Sequence, residues 1–214
     1  MRQRKPAAVL KPFGIDLDLG AGTMRRPRRI VVRRASDLRG CYADAAALER
    51  LIARGDPVHY EVFEVPVPAE RGHLMYCISR IQPGRVGREC FMTKGHYHAD
   101  AGAAEVYLGL SGEGRVLLKT RDGRCVVERI APGRMVYVPP WWAHRTANTG
   151  REPLAFFCVY PAEAGHNYGD IEREGFPKRI VRRGGRVCVV PACPAPARRG
   201  RARRGGARRG RARR

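Results

Sequence analysis

The chain has 214 residues, 43% of them hydrophobic, and a formal net charge of +22. That content supports one sizeable core, and its longest apolar runs, such as Leu154 to Val159, fall far short of the roughly 20 residues that cross a bilayer. A soluble, cytoplasmic protein with no membrane partner is expected, and seven cysteines without a Cys-x-x-Cys pair argue against both a disulfide scaffold and a zinc ribbon.

Taken in order, an irregular, basic N-terminal arm leads to Asp44, which is placed to cap a helix from about Ala45 to Arg54. Leu48, Leu51 and Ile52 share one face of that helix, and Gly55 ends it. It is the only helix the pattern predicts. Short runs rich in Val, Ile, Tyr and Phe follow as strands: Tyr60 to Val65, Leu74 to Ile81, Glu105 to Leu110, Arg115 to Lys119, Cys125 to Ile130, Met135 to Val138, Leu154 to Tyr160 and Val187 to Val190. Pro83-Gly84, Ser111-Gly112, Asp122-Gly123, Pro132-Gly133 and Thr149-Gly150 supply turns between them. Many short strands at such intervals indicate an all-β sandwich or barrel, and a jelly roll suits the site described next.

Residues 1–190 are read as one domain and 191–214 as a proline linker and tail. Pro191, Pro194 and Pro196 form the linker. Residues 198–214 contain only Arg, Gly and Ala, with ten arginines and no acidic residue, so the rest of the chain carries +12. Such a segment has no apolar face to bury and is expected to be disordered, with non-specific polyanion binding as its one available interaction.

The most informative residues are His96 and His98, with Glu105 seven positions beyond and His144 far downstream. In an extended segment alternate side chains share a face, so His96-x-His98 aims both imidazoles at one point. Glu105 from the next strand adds a carboxylate and His144 a third imidazole. Three nitrogens and one oxygen leave coordination positions of a divalent ion free for substrate or water. His59 and His73 stand outside any motif and read as surface histidines, and Trp141 and Trp142 as a wall of the barrel mouth or a dimer contact.

The stretch Gly95-His96-x-His98-x6-Glu105-x6-Gly112, followed by Gly133-x5-Pro139-x4-His144-x3-Asn148, resembles the paired motifs of the cupin superfamily. The surrounding wording is closer still: Thr93-Lys94-Gly95-His96-Tyr97-His98, Ala104-Glu105-Val106-Tyr107, Tyr137 to Thr146, and Tyr160-Pro161-Ala162-Glu163-Ala164-Gly165-His166-Asn167-Tyr168. These resemble the cupin-type glucose-6-phosphate isomerases of archaea and some bacteria. The similarity runs from about Pro12 to Val190, and the Arg-rich tail has no counterpart in it.

The resemblance implies a single cupin jelly-roll barrel and a metal-dependent aldose-ketose isomerase that interconverts glucose 6-phosphate and fructose 6-phosphate. It implies one divalent ion, Fe2+ first and Mn2+, Ni2+ or Zn2+ otherwise, on His96, His98, Glu105 and His144, and a homodimer. Glu105 is the implied base, while Thr93, the Gly95 amide, Ser79, Tyr60 and Tyr107 correspond to substrate-contacting positions. Ser79 stands where threonine is expected and keeps the hydroxyl. Tyr160 and His166 complete the catalytic pocket. Two other readings share the donor set: a cupin metal dioxygenase, and a non-enzymatic sugar- or anion-binding cupin with a nucleic-acid-binding tail.

Overall fold

A computed structural model describes residues 10–192; the Arg-rich tail and the first nine residues lie outside it. The N-terminal arm, expected to be irregular, forms a small hairpin of β1 (Leu17–Asp18) and β2 (Thr23–Met24), then strand β3 (Arg29–Arg34). Helix α1 (Ala45–Ala53) starts as expected, with Asp44 Oδ1 accepting the Ala47 N–H at 2.8 Å. The strands follow as β4 (Val58–Glu64), β5 (Leu74–Ile81), β6 (Arg85–Val86), β7 (Glu89–Cys90), β8 (Glu105–Ser111), β9 (Gly114–Lys119), β10 (Cys125–Ile130), β11 (Met135–Val138), β12 (Ala143–Asn148) and β13 (Leu154–Pro161). Helix α2 (Tyr168–Glu174) and the hairpin β14 (Lys178–Arg183) and β15 (Arg186–Pro191) close the described chain.

Two sheets build the jelly roll. One is six-stranded and antiparallel throughout, in the order β11-β8-β13-β5-β4-β3. The other, β10-β9-β12, is extended by residues 92–97, which bridge β12 at Met92 to Ala147 and His96 to His144. The sheets face one another without closing into a continuous barrel. Val116, Leu117, Ile130, Leu154 and Phe156 are buried between them. A smaller cluster of Met24, Phe63, Val65, Ile78 and Ala155 packs around the β1–β2 hairpin and the six-stranded sheet. Alternation explains the division: Ile78 and Phe63 point away from the face that carries Cys77, Ser79 and Val62.

Several elements differ from the sequence expectation. Helix α2 is a second helix, seven residues long, too short for apolar periodicity to register; Asn167 Oδ1 caps it by accepting the Asp170 N–H. The β12 sequence Ala-His-Arg-Thr-Ala-Asn has only Thr146 of the residues that strands favour yet is buried at every position, because it lies between β9 and residues 92–97. The arginines of β3 and β14 mask Ile-Val cores that pair as strands. Pro191, assigned to the linker, is the last residue of β15 and pairs with Lys178. The six cysteines in the described residues are free thiols.

His59 is not on the surface but fully buried, stacked on Phe91 at 3.7 Å with Tyr42 edge-on at 5.8 Å. Both neighbours come from distant segments, which a single-sequence pattern does not register. Its Nε2 has no hydrogen-bond partner, and burial pulls its pKa from 6.5 down to about 4. The unfolded chain therefore takes up a proton below pH 6.5 that the folded chain refuses until about pH 4, so stability is full above this window and lost as pH falls through it. The contribution lost by pH 4 is about 3 kcal/mol. Denaturant unfolding of wild type and His59→Phe between pH 7.5 and pH 4 should show the variant losing less stability by about that amount; parallel curves would contradict the assignment.

Candidate metal centre

Residues 92–98, β8 and β12 deliver the donor set. His96 forms an antiparallel bridge with His144, giving and receiving backbone hydrogen bonds at 3.2 and 3.0 Å, which holds two of the imidazoles side by side. The approach needs Gly95: its φ of +76° is left-handed, and a Cβ there would lie 2.9 Å from the His144 carbonyl oxygen and 3.0 Å from Arg145 Cβ. Two residues on, His98 reaches the same point from the same face. Glu105, the first residue of β8, enters from the opposing sheet.

One ligand atom from each of His96, His98, Glu105 and His144 lies within 4.8 Å of all the others. The imidazole centroids are 4.4 Å apart for His96 and His144, 5.5 Å for His96 and His98, and 5.3 Å for His98 and His144. Glu105 Oε2 sits 3.1 Å from His144 Nε2 and 3.4 Å from His98 Nε2. His98, Glu105 and His144 are buried, and His96 is half-buried with its Nε2 out of solvent.

Nε2 of all three histidines and Oε2 of Glu105 are buried without a hydrogen-bond partner. Unpaired buried polar atoms are costly, and four converging on one small volume fit a cation that would accept their lone pairs. His98 Nδ1 is 3.4 Å from the Gly165 carbonyl, which favours the proton on Nδ1 and leaves Nε2 free to bind. Burial, reinforced by His144, His166 and His98, holds the His96 pKa well below the usual imidazole value, so this ring is neutral. For Glu105, burial alone acts upward, but His144 and His98 together outweigh it and keep the carboxyl ionised.

His96, Glu105 and His144 open into a cavity of about 270 Å3. Strand alternation fills its wall: Arg29, Val31 and Arg33 from β3, Tyr60, Val62 and Glu64 from β4, Cys77 and Ser79 from β5, Glu105 and Tyr107 from β8, and Phe156, Cys158 and Tyr160 from β13. Thr93, Gly95, His96, His144, His166 and Tyr168 complete it, so Tyr60, Ser79, Thr93, Gly95, Tyr107, Tyr160 and His166 lie together around the metal ligands. Thr93 Oγ1 accepts the Thr146 N–H at 3.1 Å, which leaves its own hydrogen free to donate. Burial raises the pKa of Tyr60, Tyr107 and Tyr160, keeping these phenols protonated. Trp141 is exposed, and Trp142 packs near Tyr97 and His98 rather than in this wall.

The sequence reading missed Tyr168, Arg29 and Arg33. Tyr168 stacks on His166 with ring planes at 9° and centroids 5.7 Å apart, and lies 5.4 Å from His96. Its signal was its place two residues after His166. Arg29 and Arg33 were hidden because β3 was not read as a strand. Arg29 pairs with Glu64, whereas Arg33 has no carboxylate within 4.0 Å among the described residues.

A two-sheet jelly roll holding three imidazoles and a carboxylate in its cavity is the architecture of a cupin with a metal-binding donor set. A family model described as glucose-6-phosphate isomerase (GPI) matches residues 32–196. Proteins named glucose-6-phosphate isomerase are similar over 84% of the chain: that of Thermococcus gammatolerans at 47% identity across 94% of its own length, and that of Pyrococcus furiosus at 44% across 95%. The chain belongs to this glucose-6-phosphate isomerase family. Among solved structures, an oxalate oxidase aligns with 53% of this chain and 56% of its own at 14% identity and a TM-score of 0.44.

Equilibrium dialysis of chelator-stripped protein should show one tightly bound divalent ion per chain. In His144→Ala the affinity should fall by more than the roughly 10- to 100-fold that loss of an outer-shell partner costs. Unchanged binding in that variant would contradict the donor assignment.

Proposed function

We propose that the protein interconverts glucose 6-phosphate and fructose 6-phosphate, with a divalent ion on His96, His98, Glu105 and His144 and the sugar phosphate in the adjoining cavity. The observation that carries the reading is that three of the four donors, His96, Glu105 and His144, line one cavity together with the hydroxyl-bearing residues, while His98 completes the donor cluster behind them. Family membership agrees with it.

The reaction moves hydrogen between C1 and C2 of the open-chain sugar and develops negative charge on O1 and O2. A bound divalent ion supplies Lewis-acid stabilisation of those oxygens. Glu105, ionised and aimed into the cavity, is the proposed base for the transferred proton. The adjoining His144 and His98 rings hold its pKa down, which lowers its basicity and sets the cost of that role. Tyr160 and Tyr107, protonated and buried beside the donor set, offer O–H groups to the sugar oxygens, and His166 borders the same space. Thr93, the Gly95 amide, Ser79 and Tyr60 are assigned to the phosphate, where several neutral donors substitute for a dedicated loop.

Iron(II) is the first candidate ion, with manganese, nickel and zinc compatible with the same ligands. Residues 1–190 form the catalytic domain, and the enzyme acts in the cytoplasm as a homodimer. In support of the dimer, β3 is paired on one side only and exposes Ile30 and Val32 at the sheet edge. The Arg-rich tail is an accessory polyanion contact that weakens with salt.

A coupled assay of fructose 6-phosphate conversion on stripped protein, repeated after restoring each ion, tests the reading. Turnover should appear only with metal and proceed without dioxygen. No conversion with any ion, or turnover that consumes oxygen, would overturn it. Glu105→Gln should lower kcat by roughly 100-fold or more while bound metal persists; wild-type turnover with metal in place would remove Glu105 as the base.

A further inference from the structure

A second cavity, of about 290 Å3, adjoins the first and shares Gly95 and Tyr168 with it. Four cations line it, Arg39, Lys94, Arg145 and Arg179, against one lining carboxylate, Glu172. Three of the cations have counter-charges: Arg39 pairs with Glu49 at 2.8 Å, Arg179 with Glu89 at 2.7 Å, and Lys94 with Glu172 at 4.0 Å.

Arg145 has none. It is 6% exposed, with no carboxylate within 4.0 Å among the described residues. Its Nε and Nη2 both donate to the Lys94 carbonyl, at 3.0 and 2.5 Å, and its guanidinium lies 4.6 Å over the Phe176 ring. Those contacts hold the side chain but do not neutralise it, and a buried charge without a counter-charge is a strongly unfavourable arrangement. Arg179 adds a second unsatisfied group: its Nε is buried and has no hydrogen-bond partner.

We propose that this cavity binds a small phosphate-bearing anion, either free phosphate or a phosphomonoester, at a site separate from the sugar-phosphate pocket. Guanidinium forks match the several acceptor oxygens of a tetrahedral phosphate, and Lys94 adds a point charge. The anion would neutralise Arg145 and accept from the open Arg179 donor. Arg145 already grips the carbonyl of Lys94, and Lys94-Gly95 leads directly into His96. Occupancy is therefore coupled through that loop to the sugar-phosphate pocket, and phosphate changes the apparent KM for fructose 6-phosphate without competing for its place. The site is inferred from the cavity and its charges alone, whereas its effect on the KM for fructose 6-phosphate rests on the isomerase reading.

The test is a calorimetric titration of the full-length, metal-loaded protein with inorganic phosphate in the absence of fructose 6-phosphate, itself a phosphomonoester able to compete for the site. One saturable phosphate per chain is expected, with Arg179→Gln weakening it roughly tenfold or more. Arg39→Gln, at an exposed position, should also weaken it and serves if Arg179→Gln melts early. The tail contributes equally to every variant. A parallel titration with glycerol 3-phosphate tells an ester from the free ion. No saturable phosphate binding, or binding unchanged in both variants, overturns the proposal. So does a raised KM for fructose 6-phosphate in phosphate-free Arg179→Gln, which would give these cations to the substrate's own phosphate.

Discussion

Four buried lone pairs aimed at one point are the constraint on which the rest of this structure depends. His96, His98 and His144 each turn an unpartnered Nε2 toward Glu105 Oε2, and no protein hydrogen bond relieves them. A fold tolerates such a cluster only where a ligand completes it. The surrounding architecture serves that geometry: the His96–His144 bridge, the left-handed turn at Gly95, and the entry of Glu105 from the opposite sheet.

The same period of two that aims His96 and His98 together builds the cavity. Each strand of the six-stranded sheet from β3 to β8 gives alternate side chains to one wall, so hydroxyls, phenols and arginines separated by tens of residues meet around the donors. Protonated phenols stand beside an ionised carboxylate and a neutral imidazole, and on the proposed function they would stabilise developing oxyanion charge beside a proton acceptor. On the flank of the same loop, Arg145 grips the Lys94 carbonyl and carries a buried charge with no carboxylate within 4.0 Å among the described residues.

Much of this was legible in the residues. The donor set followed from the His96-x-His98 spacing with Glu105 and His144, and α1, β5, β10 and β11 from capping and strand composition. What escaped was decided by tertiary contact. The polar β12 is a strand because its neighbours bury it, His59 is internal because Tyr42 and Phe91 enclose it, and α2 is too short to show a period. Arg33 enters the cavity wall through alternation along β3, and Tyr168 as the first residue of α2, two elements that composition did not reveal.

Anomalous diffraction from crystals of the manganese-loaded protein, with and without fructose 6-phosphate, tests the central claim most directly. The account predicts one manganese bonded to imidazole nitrogens of His96, His98 and His144 and to Glu105, with sugar oxygens entering its remaining positions. A manganese peak elsewhere, or one held by fewer than three of those imidazoles, would contradict it.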